Sequence, residues 1–313
     1  MDNSDEQKHH YVPEFYLKRW AKENEIWRFS RPYGSEVKAH KVVPKGTAFE
    51  INLYKVQGAP PEKAQAMESD FLKKVDAQAA EALVQLENGL DENKWTSESR
   101  SAWSRFLLTQ MLRAPEDIAQ LKSSVAEDWS KAIPELEEAY AKIKSNGGPT
   151  TVSEYLQSLG EGQIDAFALR IAQSLMNHKN FGQALNDMHW LVLNVPEDCF
   201  PLLTSDRPVW MTATLTEPNA FITIPIGPRR LFIASVSRET QHRIKMNRRA
   251  ELVKNRNRIT VQHAVKWVFG DTNAMLPFIQ KHMSTKRHST LLERLAAMRG
   301  HKIVAPDAPL KNG

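Results

Sequence analysis

From Pro61 onward the sequence takes up an apolar period near 3.6, and Met67, Phe71, Val75, Ala79, Leu83, Leu86 and Leu90 fall on one stripe. A stripe of that kind must be buried against another element, so it commits the middle of the chain to helix packing. A second helix is expected from Thr96 or Ser97, either a suitable N-cap, through Trp103, Phe106, Leu107, Gln110 and Met111 to a stop at Ala114-Pro115. Further helices are expected over 116–145 with a break near Pro134, then over 151–159 and 162–186, with Asn146-Gly147-Gly148-Pro149 as a linker.

The flanks follow another rule. Pro13 suits the first turn of a short helix through Phe15, Tyr16, Leu17 and Trp20, since its missing N–H has no partner there anyway. Ile26 to Phe29 and Glu36 to Val43 have strand composition around a turn at Pro32 to Ser35, which predicts a β-hairpin. Beyond Met188 come short apolar runs separated by prolines, HWLVLNV, PLLTSD, FITIPIG and RRLFIASV, which predict buried strands of an open sheet or meander. A basic helix over 238–258, a strand over 266–269, helices over 273–283 and 285–298 and a frayed tail from Ala305 complete the expectation. Strands, then helices, then both together argue for an α+β fold, with an N-terminal helix and hairpin, a central helical block and a C-terminal mixed sheet with flanking helices. We expect one unit over 1–313, divisible into an arm and hairpin (1–60), a helical block (61–187) and an α+β part (188–304).

Composition narrows the setting. With 41% apolar residues the 313-residue chain can bury a large core. Cys199 is the lone cysteine, so no intrachain disulfide can form, and the polar opening MDNSDEQKHH carries no apolar leader. These features predict a cytoplasmic protein that neither enters a membrane nor is exported. Residues 229–302 hold 17 Lys/Arg against 4 Asp/Glu, leaving 25 against 33 elsewhere. That asymmetry fits nucleic-acid binding, or one part of the protein packing on another. The stretch RIKMNRRAELVKNRNR, with seven Lys/Arg and one Glu, could contact phosphates along 238–258, be a solvated face with Met246, Leu252 and Val253 turned inward, or pack on the acidic EDWSKAIPELEE at 127–138.

His9-His10-Tyr11-Val12-Pro13 stands just before a helix start. Two imidazoles beside exposed amide groups could hold a divalent metal or an anion; equally, the segment could be a polar arm anchored by Tyr11. There is no HExxH and no Cys/His array to complete a zinc site. Thr204-Ser205-Asp206-Arg207-Pro208 follows an apolar strand and lacks the GxSxG elbow. Asp206 suits a metal ligand or general base and Ser205 a hydrogen-bond donor or a nucleophile, or the segment is a local turn closed by Pro208.

The string HHYVPEFYLKRWA, followed by the short strand IWRF, resembles the opening of an uncharacterised family, a domain of unknown function. Further points of resemblance are Glu68 near the start of a helix, Gln110, Arg113 and Pro115 at the end of another, and the strand HWLVL. Thr204, Ser205, Asp206 and Pro208, the strand pair ITIPIGPRRLFIA, and Asn257 upstream of WVFG complete the set. The likeness runs over about 9–270. This chain departs from the pattern at Pro201-Leu202-Leu203, and at Arg207, where the family often has Asn. At the positions it marks, Gln110 and Arg113 lie three apart on one helix face, suited to an anionic group or to a neighbouring carboxylate. Glu68 flanks the apolar stripe, so it needs a partner, and Arg113 is the expected one.

The combined expectation is one polar pocket joining His10, Asp206, Arg113 and Glu68 as catalytic groups with His9, Tyr11, Gln110, Ser205 and Asn257 as ligand-binding groups. His9, His10 and Asp206 are the metal candidates. Such a set suits a hydrolase acting on a phosphate-containing substrate, of nuclease or phosphodiesterase type. The alternative is a non-catalytic binding or regulatory protein that recognises an anionic ligand or a protein partner.

Overall fold

A computed structural model describes residues 6–89, 95–144, 148–158, 162–212, 215, 217–287, 289–290 and 292–293. The chain opens with a strand, β1 (Lys8–His10), and Pro13 caps a one-turn helix, α1 (Glu14–Leu17), that tightens into a 3-10 turn at Lys18–Trp20. Trp20 and Tyr16 are fully buried and both anchor to distant backbone: Trp20 Nε1 donates to the Leu202 carbonyl at 2.7 Å, and Tyr16 Oη to the Pro225 carbonyl at 2.7 Å. The expected hairpin is present as β2 (Ile26–Ser30) and β3 (Lys38–Val42), with Ile26 opposite Val42. Then β4 (Phe49–Ile51) turns back to pair with β1.

The helical block begins with α2 (Pro61–Ala64). A π-helical turn at Met67–Leu72 leads into α3 (Lys73–Glu87), whose buried face carries the apolar stripe. Leu90, the last member expected on that stripe, lies outside the described residues, as do Asn146 and Gly147 of the linker, residues 294–298 of the expected last helix and the tail from Ala305. Next comes α4 (Ser97–Leu112), capped by Thr96, whose Oγ1 accepts from Ser99 N at 3.2 Å. It leads to α5 (Pro115–Ile143), which runs unbroken through Pro134. Pro134 is exposed, so the carbonyl it leaves unbonded can be hydrated and the expected break does not occur. After α6 (Val152–Ser158), the expected helix over 162–186 is two helices, α7 (Gln163–Met176) and α8 (Lys179–Asp187), interrupted at Asn177-His178, where the His178 ring caps α8.

The C-terminal strands divide between two antiparallel sheets. In one, β5 (His189–Asn194) forms an edge, β9 (Arg230–Ser235) and β8 (Phe221–Gly227) the middle, and β7 (Trp210–Met211) the other edge. Gly227, at φ 156°, takes the irregular step that lets β8 turn into β9. The other sheet has the order β3-β2-β10-β6, with β6 at Thr204–Ser205 and β10 at Val268–Gly270. It joins the N-terminal hairpin to the end of the chain, a pairing of remote segments that no local pattern announces.

The single basic helix expected over 238–258 is two, α9 (Arg238–Met246) and α10 (Arg249–His263), separated at Asn247-Arg248. Met246 is 70% exposed rather than turned inward, while Val253 is buried. α11 (Leu276–His282) packs on α10. The architecture is α+β, and among the described residues no helix is long and apolar enough to cross a membrane.

Candidate functional site

Arg113 sits at the C-cap of α4 with 1% exposure. Its guanidinium grips the Asp76 carboxylate through two bonds of 2.7 and 3.0 Å, and also donates to the His10 carbonyl. Burial alone would lower its pKa, but the Asp76 carboxylate overrides this and raises it, so the arginine stays charged. Tyr54 completes the cluster. Its hydroxyl donates to the Arg113 carbonyl at 2.5 Å, its N–H donates to His9 Nδ1 at 3.0 Å, and its ring stacks on His9 at 5.3 Å. The end of α4, the strand β1 and the chain between β4 and α2 are thereby tied together.

This geometry fixes the chemistry of the histidines. His9 is fully buried, and because Nδ1 accepts a backbone N–H, the neutral ring must carry its proton on Nε2, which faces the Gln65 side chain. Burial lowers its pKa to about 4, against a smaller upward pull from Gln65. In that tautomer the Nδ1 lone pair is already taken by the Tyr54 N–H and Nε2 carries the proton. His10 is also pushed down, by burial and by the Arg113 charge, and its ring tilts against Phe49 at 5.5 Å. Glu68 lies on the π-helical turn and is 8% exposed. Its expected bond to Arg113 is replaced by the Asp76 pair, so Arg113 acts on it only as a nearby charge that partly offsets the upward push of burial. Among the described residues of this cluster and its neighbour Tyr11, His9 Nε2, His10 Nε2, Tyr11 Oη, Glu68 Oε2, Arg113 Nε and both polar atoms of the Gln110 amide are buried without a hydrogen-bond partner.

A second cluster adjoins the first across β1. Asp206 Oδ1 accepts from Val265 N at 3.0 Å, and Oδ2 accepts from Lys266 N and from Trp267 N, the latter at 2.9 Å. Burial raises this carboxyl, and the three amide donors work against the rise. Both oxygens thus help to hold the approach to β10. Ser205 is fully buried, and its Oγ accepts from Arg207 N at 3.1 Å in a local turn. Arg207 pairs with Asp117 and with Glu116 at 2.9 Å, so the cation at the departing position is matched by the first turn of α5 rather than by Asp206. Tyr11 stacks on Trp267 at 6.1 Å, and burial with the nearby Asp206 and Glu116 charges pushes its hydroxyl up.

The structure therefore brings His9, His10, Glu68 and Arg113 into one cluster, with Gln110 one turn before Arg113 on α4. It brings Tyr11, Ser205 and Asp206 into a neighbouring one. Asn257 belongs to neither: its amide donates to the Pro201 carbonyl at 2.9 Å and accepts from Leu203 N at 2.8 Å, pinning the chain ahead of β6. Among the described residues no group of three or more His, Cys, Asp or Glu side chains is placed to hold a metal ion. In the basic stretch, Arg256 is buried against the Pro208 carbonyl at 2.6 Å and is lowered to about 10 by burial, so it is not presented to a ligand.

A family model describing proteins of unknown function, DUF4238, spans residues 8–274, from the first residue of β1 to the turn after β10. The chain belongs to this family. Comparison with curated proteins and with solved structures gives no match. Of the motif positions that the resemblance picked out, Arg113 ties α4 to α3 and β1, and Asp206 ties the end of β6 to the approach to β10.

An open cleft lies elsewhere. A cleft of about 750 Å³ runs along β5, walled by Trp95, Arg100, Arg230, Arg238 and Gln241. Arg100 is a structural part of the wall, stacked 4.0 Å from the Trp190 ring and donating to the Asn186 and Met188 carbonyls. Of the wall's acids, Glu87 is paired with Arg19 at 2.5 Å and Asp187 accepts from Gln183 at 2.7 Å. Arg230 and Arg238 are exposed and have no ion-pair partner among the described residues. Neither cluster around β1 contributes a side chain to this cleft. Sequence reasoning passed over Arg230 and Arg238 as part of a basic quarter, and over Asp76, Tyr54 and Asp117. The signal for Asp76 was available: a carboxylate beside the apolar stripe, two helical turns beyond Glu68.

Proposed function

We propose that this protein acts as a non-catalytic binding or regulatory protein that takes an anionic ligand into the cleft along β5. One observation carries the reading. The charged groups of the motif clusters are largely committed to partners inside the protein, whereas Arg230 and Arg238 have no ion-pair partner among the described residues and stand at a cleft of ligand size. Guanidinium groups in that state suit phosphate or carboxylate, which they can grip through two parallel bonds. The test is calorimetry and thermal shift of the purified chain with inorganic phosphate, nucleoside phosphates and short oligonucleotides. A saturable ligand whose affinity falls at least tenfold in Arg230→Glu or Arg238→Glu supports the reading. Binding that ignores both substitutions sinks it.

A second reading, a hydrolase or nuclease acting on a phosphate ester, is favoured by Glu68. Within the motif set it is a buried carboxylate with an unbonded oxygen and a raised pKa, placed on a π-helical turn beside Arg113. Turnover of a model phosphodiester with magnesium or manganese present, abolished in Glu68→Gln at unchanged melting temperature, would move the assignment to this reading.

A further inference from the structure

The strand beneath the cleft has an uncommitted backbone as well as uncommitted arginines. In β5, His189, Leu191 and Leu193 lie opposite Ser235, Ile233 and Leu231, and the next residue in that phase, Val195, donates to the Arg229 carbonyl at 2.9 Å. The odd-numbered residues therefore turn their N–H and C=O groups to β9, and Trp190, Val192 and Asn194 turn theirs outward. The bond from Gln241 Nε2 to the Trp190 carbonyl at 3.0 Å agrees with that phase. Among the described residues, nothing bonds the N–H or C=O of Val192 or Asn194.

Edge strands are normally guarded by a charge, a proline, a bulge or extreme shortness. β7, the opposite edge, is two residues long. β5 has none of these guards: its sequence HWLVLN contains no Asp, Glu, Lys, Arg or proline, and it pairs with β9 over six residues without a register shift.

We infer that β5 is a docking edge for an extended, acidic peptide segment of a partner protein, which adds itself as a fifth strand to the sheet. This rests on reading the cleft as an anion-binding site and names its ligand. Main-chain bonds to Val192 and Asn194 supply the register, and the arginines supply the selectivity. Arg230 lies opposite Asn194 at one end of the strand, and Arg238 borders the cleft at the start of α9, after Ser235 opposite His189 at the other end. The two cations bracket an edge about 20 Å long, so carboxylates at both ends of a short segment find partners. Charge also selects against a second copy of this chain. A twofold β5–β5 pairing would set Arg230 of one copy beside Arg238 of the other, bringing like charges together.

The experiment is selection of a short-peptide display library on the full chain, followed by affinity measurements on three proteins: wild type, Val192→Pro, and Arg230→Glu with Arg238→Glu. Proline at 192 removes an N–H that makes no bond within the sheet, so the fold is expected to survive. The expected result is enrichment of acidic, proline-free peptides. Their affinity falls about tenfold or more in Val192→Pro at unchanged melting temperature, and the double charge reversal shifts selection to basic peptides. Amide exchange on the wild type gives a readout independent of any variant: the Val192 and Asn194 amides exchange fast alone and slowly with peptide bound. Peptides that bind Val192→Pro as tightly as wild type, no enrichment at all, or no protection of those amides would each overturn strand addition, and a wild-type dimer that Val192→Pro dissociates would replace the partner peptide by a second copy of this chain. If small phosphates bind through Arg230 and Arg238 while no peptide protects the β5 amides, the anion-binding reading stands and this inference falls; if neither binds, both fall.

Discussion

The two polar regions of this molecule contain the same kinds of side chain and use them in opposite ways. Around β1, arginines, carboxylates and buried histidines converge from remote segments, and most of their polar atoms meet a partner inside the protein: Arg113 with Asp76, Asp206 with three amides, Arg207 with Asp117. Along β5, Arg230 and Arg238 have solvent before them and an unguarded strand edge between them. Convergence of charged motif residues is thus not by itself the mark of a reacting site. A buried charge must be paired wherever it lies, so a fold assembled from distant segments also gathers charged residues at its seams.

The largest effect expected from this contrast is at Arg113. Arg113→Ala should cost about 3 kcal/mol in urea unfolding, because it leaves the half-buried Asp76 carboxylate and the His10 carbonyl without their partner and empties a fully buried site. Arg113→Lys, unable to bridge both carboxylate oxygens, should recover only part. A loss below about 1 kcal/mol, comparable to an exposed pair, would show that the cluster around β1 is not a structural seam.

The next effect is acid sensitivity. His9 titrates near 6.5 when unfolded and at about 4 when folded, so between those values the unfolded chain binds the extra proton. The stability this represents is full above pH 6.5 and is lost as pH falls toward 4, by roughly 3 kcal/mol for His9, with His10 contributing in the same sense. Replacing His9 with Gln should flatten the pH dependence of unfolding in that window. An unchanged slope would mean that the His9 ring is not held neutral by the seam. Glu68 works in the opposite sense, since its raised pKa makes the folded state less stable as pH rises through it. Glu68→Gln should therefore be neutral or stabilising by about 1 kcal/mol at pH 7 in thermal unfolding. A large destabilisation would reveal a partner for the carboxylate and return Glu68 to the architectural group.

How much of this was legible in the sequence depends on whether the determining contact was local. The stripe from Met67, the Thr96 cap and the β2–β3 hairpin were readable because each is settled by residues within a few positions of one another. The unbroken α5 was not, because whether the carbonyl freed by Pro134 can be hydrated depends on its exposure, and exposure is a tertiary property. The insertion of β10 between β2 and β6 was equally hidden, since strand order is decided between segments far apart in the chain. At the candidate sites the residue types drew attention correctly to Arg113 and Asp206, but not to what they do. Whether Asp206 meets a metal, a substrate or three amides depends on where the chain at Val265 to Trp267 passes. The open edge of β5 was invisible for the same reason: HWLVLN reads alike as a central or an edge strand, both of its faces being covered.

The smallest effect on stability is expected where the functional consequence should be greatest. Arg230→Glu and Arg238→Glu remove exposed guanidiniums with no ion-pair partner among the described residues, so each should change the unfolding free energy by less than about 0.5 kcal/mol. Anion binding should nevertheless fall, and its salt dependence weaken, because a cation has become an anion at the mouth of the cleft. The pair of readouts is what separates the regions: at Arg113 stability collapses, and at Arg230 and Arg238 it does not. If either cleft substitution instead costs several kcal/mol, that arginine is part of a second seam, and the distinction between committed and uncommitted charge fails where the proposal most needs it.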